Sequence, residues 1–522
     1  MVRSAFSVPR VYGRVVAVTV LGVGGHLVSV EAYVGRGLPS LVFTGLPGMS
    51  VNDARDRVRP AVESAGLEWP LRRVVVNLAP ASLRKDGPGL DLPVAVGVLT
   101  ATAQVPAPAV VGYAFAGELS LKGELLPTPG ILSVAIAAAR AGLTGVVVPA
   151  ANALEAAQIG SLRVVGASTL ADVAGFLRGT WEPPAIDPGA APPTEAAASV
   201  DLSEIRGQAQ ARRALEVAAA GGHNLLMVGP PGAGKTMLAR RLATILPELS
   251  REEALEATQL HSVAGLLRER GVLTSRPFRA PHHSVSLAGL LGGGSTFLRP
   301  GEVSLAHHGV LFLDEFTEFR RDALEGLRQP LEDGRVVVTR AAGSVEFPAR
   351  FTLVAAANPC PCGFDGDQRR DCRCRADRVE LYQHKLSGPL LDRIDLRLRV
   401  PRLTKQELLG SERGERSDVV RRRVLAAHER QRVRYAGIGV TCNAHLSGPL
   451  VRRHALLSAD AGRLLASAVD TLALTGRGFD RALKVARTVA DLAGAGQIDV
   501  EHLAEALSYR EGFGDEHLAR AG

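Results

Sequence analysis

Residues 229–236 read "GPPGAGKT", and no other stretch of the 522-residue chain restricts its fold as strongly. The pattern G-x-x-x-x-G-K-[ST] works only between a buried strand and a helix. Both are in place: "NLLMVGP" runs into it and "KTMLARRLATIL" leaves it. Gly229, Gly232 and Gly234, spaced by Pro230, Pro231 and Ala233, let backbone N–H groups turn toward phosphate oxygens. The helix N-terminus adds the positive end of a dipole. Lys235 can reach the outer phosphates of a nucleoside triphosphate, and the Thr236 hydroxyl can ligate Mg²⁺.

An acidic pair at a strand end completes such a site. "GVLFLDEF", 309–316, buries four apolar residues and delivers Asp314 and Glu315 at its C-terminal end, where parallel sheets bind ligands. Asp314 is expected on Mg²⁺, directly or through water, and Glu315 beside the attacking water. "VAAANP" places Asn358 at the end of another strand, where its amide can hydrogen-bond both that water and the γ-phosphate. "LLDRIDL" sets Arg393 among apolar residues and aspartates, and "TGRGFDRALK" spaces Arg477 and Arg481 one helical turn apart. Each arginine alone reads as a surface salt bridge; as a set they become candidates for the same chemistry.

The rest of the chain is organised around this core. "WEPPAIDPGAAPPTEAAASV", 181–200, is a Pro/Ala linker without apolar periodicity. Before it, residues 1–180 alternate strand-like runs ("RVVAVTV", "LVSVEAYV", "SLVFTGL", "RRVVVNL") with helix-like ones. Of these, "SVNDARDRVRPAVESAG" is expected to start at a Ser50 cap. After it, residues 201–400 predict a parallel sheet covered on both faces, and 401–522 a small helical domain. The charge-free run 92–117 is broken by Pro93, Pro106 and Pro108, so a buried strand and helix is expected there rather than a membrane span.

Composition narrows the setting. The opening "MVRSAFSVPRVYGRVV" has no apolar core followed by a small-residue cleavage site, and five cysteines cannot staple a chain this long. A reducing, cytoplasmic location is expected. The net charge is +8, and residues 401–440 alone carry ten Lys/Arg against five Asp/Glu. Such a balance permits nucleic-acid binding without requiring it. Four of the cysteines fall in "CPCGFDGDQRRDCRC", 360–374, between Asn358 and Arg393. Two C-x-C pairs on a glycine- and arginine-rich loop suit a tetrahedral site, so Cys360, Cys362, Cys372 and Cys374 are candidate ligands of one structural Zn²⁺. The alternative is four reduced thiols.

The order of P-loop, "LFLDEF", "AAANPCPCG", "SGPLLDRIDL" and "ALKVARTVADLAG" resembles the AAA+ ATPases of the magnesium-chelatase-like group. "RPFRAPHHSVS", "RPGEVSLAHHGVLFLDE", "LEGLRQPLEDG" and "GLPGMSVNDARDRVRPA" narrow the resemblance to the YifB/ComM family. The resemblance implies a homo-hexamer with ATP between subunits. Asn358 would be sensor 1, Arg393 an arginine finger acting on the neighbour's nucleotide, and Arg477, then Arg481, the sensor-2 arginine. "RKDGPGLDLPVAV" and "GELSLKGELLPTPGILSVAIAAARAGLTGVVVPAAN" resemble the Lon-type (S5-type) protease domain. In that domain a Ser follows "DGP" and a Lys sits in the later helix. Here Gly89 follows Pro88 and the helix reads Leu132, Ser133, Val134, so a Lon-like fold without proteolysis is expected. The implied fold class is α/β: a Lon-like α/β domain, then an AAA+ P-loop core with a parallel sheet, then a helical lid.

The family also implies DNA as partner, as branched or single-stranded/duplex junctions, with branch migration in natural transformation as the activity and no membrane. The glycine- and arginine-rich insertion 268–301 and the hairpin-like "RVVVTRAAGSVEFPAR", 335–350, would face the pore of a ring. Arg276, Arg279, Arg335 and Arg340 are the candidate phosphate contacts. His282 and His283 are expected to order their own loop. A magnesium-chelatase-type subunit and a protein remodeller are the rival readings.

Overall fold

The computed structural model describes residues 11–85, 87–187, 200–267, 271–294, 298–340, 343–409, 413–472 and 474–510. Most of the expected linker and the tip of the hairpin lie outside these residues.

The N-terminal part is a seven-stranded mixed sheet. Its spatial order is Ser40–Thr44, Arg73–Ala79, Gly24–Gly35, Tyr12–Leu21, Tyr113–Phe115, Gly145–Pro149, Arg163–Ala167. Tyr12–Leu21 and Gly24–Gly35 pair antiparallel across a tight turn, while Tyr113–Phe115, Gly145–Pro149 and Arg163–Ala167 run parallel. Val and Ala alternate inward along the long strands, which puts Val28, Val30 and Ala32 in the core. The first part of the charge-free run becomes helix Asp91–Ala101, every residue of which is buried. Its two polar side chains are both partnered, Asp91 by Arg57 and Thr100 by the Val96 carbonyl, and the apolar rest reflects burial on all sides. Among the described residues no helix is long and apolar enough to cross a membrane.

Ser50 does not cap its helix. The helix is Met49–Ser64 with Gly48 at the cap, so Ser50 falls in the first turn. Gly48 N–H donates to the Lys85 carbonyl at 2.7 Å, and this tie starts the helix earlier than the side-chain signal suggested.

The second part is a five-stranded sheet ordered Phe278–Arg279, Val310–Leu313, Thr352–Ala357, Leu225–Val228, Leu396–Arg399. Every neighbouring pair is parallel. All strands therefore end on one edge, and their C-terminal loops converge. Four-residue strands such as Leu225–Val228 are buried throughout, as a sheet covered on both faces requires.

Helices Ser417–Arg434, Ala459–Thr471, Gly476–Ala493 and Val500–Ser508 form the C-terminal part. Its core is continuous with one face of the parallel sheet, since Val424, Leu483 and Val489 share a cluster with Leu225 and Met227. Buried Arg487 and Asp491 form an ion pair in its centre, joined by Arg434 and Asn443. Each charge there has a partner, as burial demands.

The two α/β parts touch along helix Ile131–Arg140 and helix Arg251–Val263. Gly130 N–H donates to Ser262 O at 3.0 Å, and Gln259 Nε2 donates to the Val23 carbonyl and to Ser133 Oγ. The turn at Gly22 rests on the hairpin Arg335–Arg340/Gly343–Pro348: a Cβ there would lie 2.6 Å from Val345 Cγ1.

Candidate functional site

Strand Leu225–Val228 delivers the P-loop between Thr352–Ala357 and Leu396–Arg399. Gly229 donates to Ala357 O, and a Cβ on it would stand 2.1 Å from Val400 O, so only glycine passes between the strands. Gly232 and Gly234 have φ of +80° and +88° with open space around them. Their requirement is left-handed backbone, which leaves a concave surface of N–H groups ahead of helix Lys235–Ile245. Pro230, Pro231 and Ala233 complete the turn.

Lys235 is largely buried behind this loop. Its Nζ donates to Gly229 O at 2.6 Å, Pro230 O at 3.1 Å and Asn358 Oδ1 at 3.2 Å. Burial pushes its pKa down to about 8, with Asp314 opposing the shift. Thr236 Oγ1 donates to Asp314 Oδ2 at 2.7 Å. A hydroxyl and a carboxylate side by side are the hard oxygen donors that Mg²⁺ takes, and the open N–H cradle beside them fits a polyphosphate. The residues present therefore fit MgATP.

Glu315 follows at φ +52°, ψ +46°, a left-handed conformation unusual for a residue with a Cβ. Its N–H donates to Asp314 Oδ1 at 2.9 Å, and its carboxylate reaches His283 Nδ1 at 2.9 Å. His282 stacks on His283 with ring centroids 4.0 Å apart and contacts Ser284 through Nδ1. A cavity of about 300 Å³ is lined by Thr236, Arg240, His282, His283, Asp314 and Glu315. The histidine pair was expected only to order its loop, and the His283–Glu315 contact was missed. The available signal was adjacency: "APHH" directly follows edge strand Phe278–Arg279, which runs parallel to the strand ending at Asp314.

Arg393, Arg477 and Arg481 come together elsewhere. Arg393 pairs with Glu332, Arg477 lies 3.4 Å from the same carboxylate, and Arg481 pairs with Asp395 at 2.7 Å. Burial opposes ionisation of Asp395, but Arg481, His223 and Lys484 hold it well below the usual carboxylate range. Glu332, Arg393, Asp395, Arg477, Arg481 and Lys484 line a cavity of about 530 Å³ with Asn224, whose N–H donates to Asp395. Asn224 precedes strand Leu225–Val228 and Gly229 follows it. The arginines and the P-loop thus occupy opposite ends of the sheet, about 16 Å apart from Asn224 to Gly229 at roughly 3.3 Å per residue.

Two of the arginines proposed for DNA make ion pairs within the chain. Arg276 donates to Pro247 O and His308 O, each at 2.7 Å, and pairs with Glu253 at 2.9 Å. Arg279 makes two 2.7 Å bonds to Glu302. Both guanidiniums are held by carboxylates of their own chain. Arg335 is exposed and faces Glu346 across the hairpin. The Arg340 side chain lies outside the described residues. The four loop cysteines converge: their sulfurs all lie within 4.8 Å of one another, and Cys442 stands apart beside His445.

The comparisons with known proteins cover the same segments. Residues 201–408 match the family described as magnesium chelatase, subunit ChlI; 30–152 match subunit ChlI of Mg-chelatase; and 414–510 match its C-terminal part. The chain is 44% identical over 495 residues to the YifB protein of Salmonella typhimurium, covering 94% of this chain and 95% of that one. It is 43% identical over 495 residues to the competence protein ComM of Haemophilus influenzae, covering 94% and 96%. Over 136 residues it is 32% identical to the Lon protease of Dictyoglomus thermophilum, covering 25% of this chain and 17% of that protein.

Proposed function

We propose, from the premise that the chain belongs to the YifB/ComM family of magnesium-chelatase-like proteins, that it is an ATP-driven motor working as a ring, a hexamer by family analogy, on branched DNA. The observation that carries this reading is the separation of one catalytic set onto two ends of a sheet. Lys235, Thr236, Asp314, Glu315 and Asn358 gather at one end, while Arg393, Arg477 and Arg481 gather at the other. A complete phosphoryl-transfer site needs cations on the transferring group from both sides. One copy cannot supply them, and a head-to-tail neighbour can.

In this reading the N–H groups of the P-loop hold the triphosphate, and Lys235 leaves its carbonyl partners for the outer phosphates. Mg²⁺, held through Thr236 and Asp314, would neutralise phosphate charge. Glu315 takes the proton of the attacking water, and Asn358 orients that water. Arg393 of the adjoining copy stabilises the transition state, an effect of about 10³–10⁵ in rate for fingers supplied between chains. Arg477 and Arg481, on the same face, assist it.

The N-terminal domain does not cleave peptides in this proposal. Gly89 offers no nucleophile, and the Ser133 hydroxyl donates to Val23 O at 2.8 Å. The protein acts in the cytoplasm. DNA junctions are its substrate by analogy with the competence protein, and exposed Arg335 remains a candidate contact. The test is ATPase rate against three-stranded and forked DNA, with Glu315→Gln as the inactive control. Junction DNA is expected to stimulate the parent; binding and stimulation by unfolded polypeptide instead would make it a protein remodeller.

A further inference from the structure

The loop after Asn358 has almost nothing apolar to hold it. Between residues 360 and 374 the only large apolar side chain is Phe364, lying under Arg370 and Arg402 at 4.4 and 5.2 Å from its ring centre. Yet the cysteines are tightly gathered. Cys360 and Cys362 sulfurs are 3.4 Å apart, and each is 3.6 Å from that of Cys372. The Cys372 sulfur also accepts the Cys374 N–H at 3.4 Å. None of these distances is a disulfide, which needs about 2.05 Å. A tetrahedron of thiolates around Zn²⁺, with Zn–S of about 2.3 Å, has edges of about 3.8 Å. The observed triangle is within a few tenths of an ångström of that figure. Four soft donors and no hard ones select zinc over Mg²⁺ or Ca²⁺.

The same loop is built onto the nucleotide pocket. Cys360 is fully buried and lies two residues from Asn358. Its carbonyl accepts the Gly363 N–H at 2.9 Å, closing a turn in which Gly363 has φ +84°. That turn lies on the P-loop: a Cβ at Gly363 would stand 2.5 Å from Pro231 Cδ and 2.8 Å from its Cγ. Gln383 Nε2 ties the preceding Pro359 carbonyl at 3.1 Å, and Arg402 pairs with Asp367 at 2.9 Å.

We infer that Cys360, Cys362, Cys372 and Cys374 bind one Zn²⁺, and that this clip is a strut of the nucleotide pocket, pressing the Gly363 turn onto Pro231 and fixing Asn358. The clip positions catalytic groups without touching ATP. The strut half rests on the ATP-binding reading; the metal half does not.

The full-length chain, purified without chelator, is expected to carry one zinc, released by a mercurial. The Co²⁺-substituted protein should show thiolate-to-metal charge transfer and tetrahedral d–d bands. Cys372→Ser should lose the metal and weaken binding of a fluorescent ATP analogue at least tenfold, measured in a Glu315→Gln background. Gly363→Ala should keep the zinc and still weaken binding, which separates a displaced turn from an unfolded chain. Absence of zinc overturns the metal site. Zinc present with unchanged nucleotide affinity in both variants overturns the strut. A parent that binds zinc but no nucleotide removes the ATP reading and the strut with it, leaving the metal site standing.

Discussion

Glu155 sits where the two α/β parts meet, and replacing it with glutamine isolates one electrostatic contribution to their docking. The carboxyl is 4% exposed. Oε1 accepts from Asn152 Nδ2 at 2.6 Å, while Oε2 has no hydrogen-bond partner among the described residues. Burial raises its pKa from the ordinary 4.5 to about 7, against the opposing influence of Ser262, Asn152 and Leu132. A raised folded-state pKa fixes the sign: the stability tied to the bound proton is fully present below 4.5 and is lost as pH rises through 7. At about 1.4 kcal/mol per pH unit, the span is worth at most about 3.4 kcal/mol. Glu155→Gln keeps an acceptor for Asn152 and removes the titration. Both tryptophans, Trp69 and Trp181, pack on the N-terminal core and report its unfolding. Urea midpoints followed by their fluorescence should fall for the parent relative to the variant between pH 4.5 and 7, then run parallel above 7. A difference between the two that stays flat across that window would refute the buried-acid account.

Three further outcomes are expected. His283 draws Glu315 to the Phe278–Arg279 side of the sheet, away from Asn358, and so away from the proposed water site. A half-exposed pair is worth about 0.5–1 kcal/mol, so His283→Ala should raise unstimulated ATPase about two- to fivefold with KM unchanged; a fall in kcat would count against it. Arg393→Ala and Lys235→Ala should each abolish hydrolysis alone, yet a one-to-one mixture should recover about a quarter of it, the share of head-to-tail interfaces that pair an intact P-loop with an intact arginine; no recovery would mean the site is not shared. Arg276→Ala should destabilise the chain by about 2 kcal/mol, since it removes one partner of Glu253 and the donor of the Pro247, Glu248 and His308 carbonyls, and should leave the salt dependence of DNA binding unchanged if the ion pair is its whole role; a shallower slope in a filter-binding titration would make it a phosphate contact.

The chemistry at strand ends was legible because it depends on local order. A buried apolar run followed by Gly229–Thr236, by Asp314 and Glu315, or by Asn358 can only present those residues at one edge of a parallel sheet. What connects one element to another was not legible. Nothing in "RPFRAPHHS" says that its first two arginines will be claimed by Glu253 and Glu302, because those carboxylates come from other elements whose packing is a tertiary fact. The same holds for His283 on Glu315, and for Gly48 replacing Ser50 as the cap through a bond to Lys85. The two C-x-C pairs could be counted in the sequence, but the seating of the Gly363 turn between them on Pro231 could not.

These connections determine which parts of the chain must move together. The hairpin that precedes Asn358 carries Val345 and Phe347, and the N-terminal domain rests its Gly22–Val23 turn on them. The helix Arg251–Val263 that docks against Ile131–Arg140 also supplies Glu253 and Glu256, which bind Arg276, His307 and His308 at the roots of edge strand Phe278–Arg279 and its neighbour Val310–Leu313. Protein interiors of this density shift as bodies and do not flex residue by residue. In the proposed ATPase cycle, a displacement of Asn358 or of the Asp314 strand therefore reaches the N-terminal domain through two separate contacts. That domain keeps close-packed contacts with elements flanking the P-loop edge of the sheet, which suits it to transmit the strokes of the proposed motor.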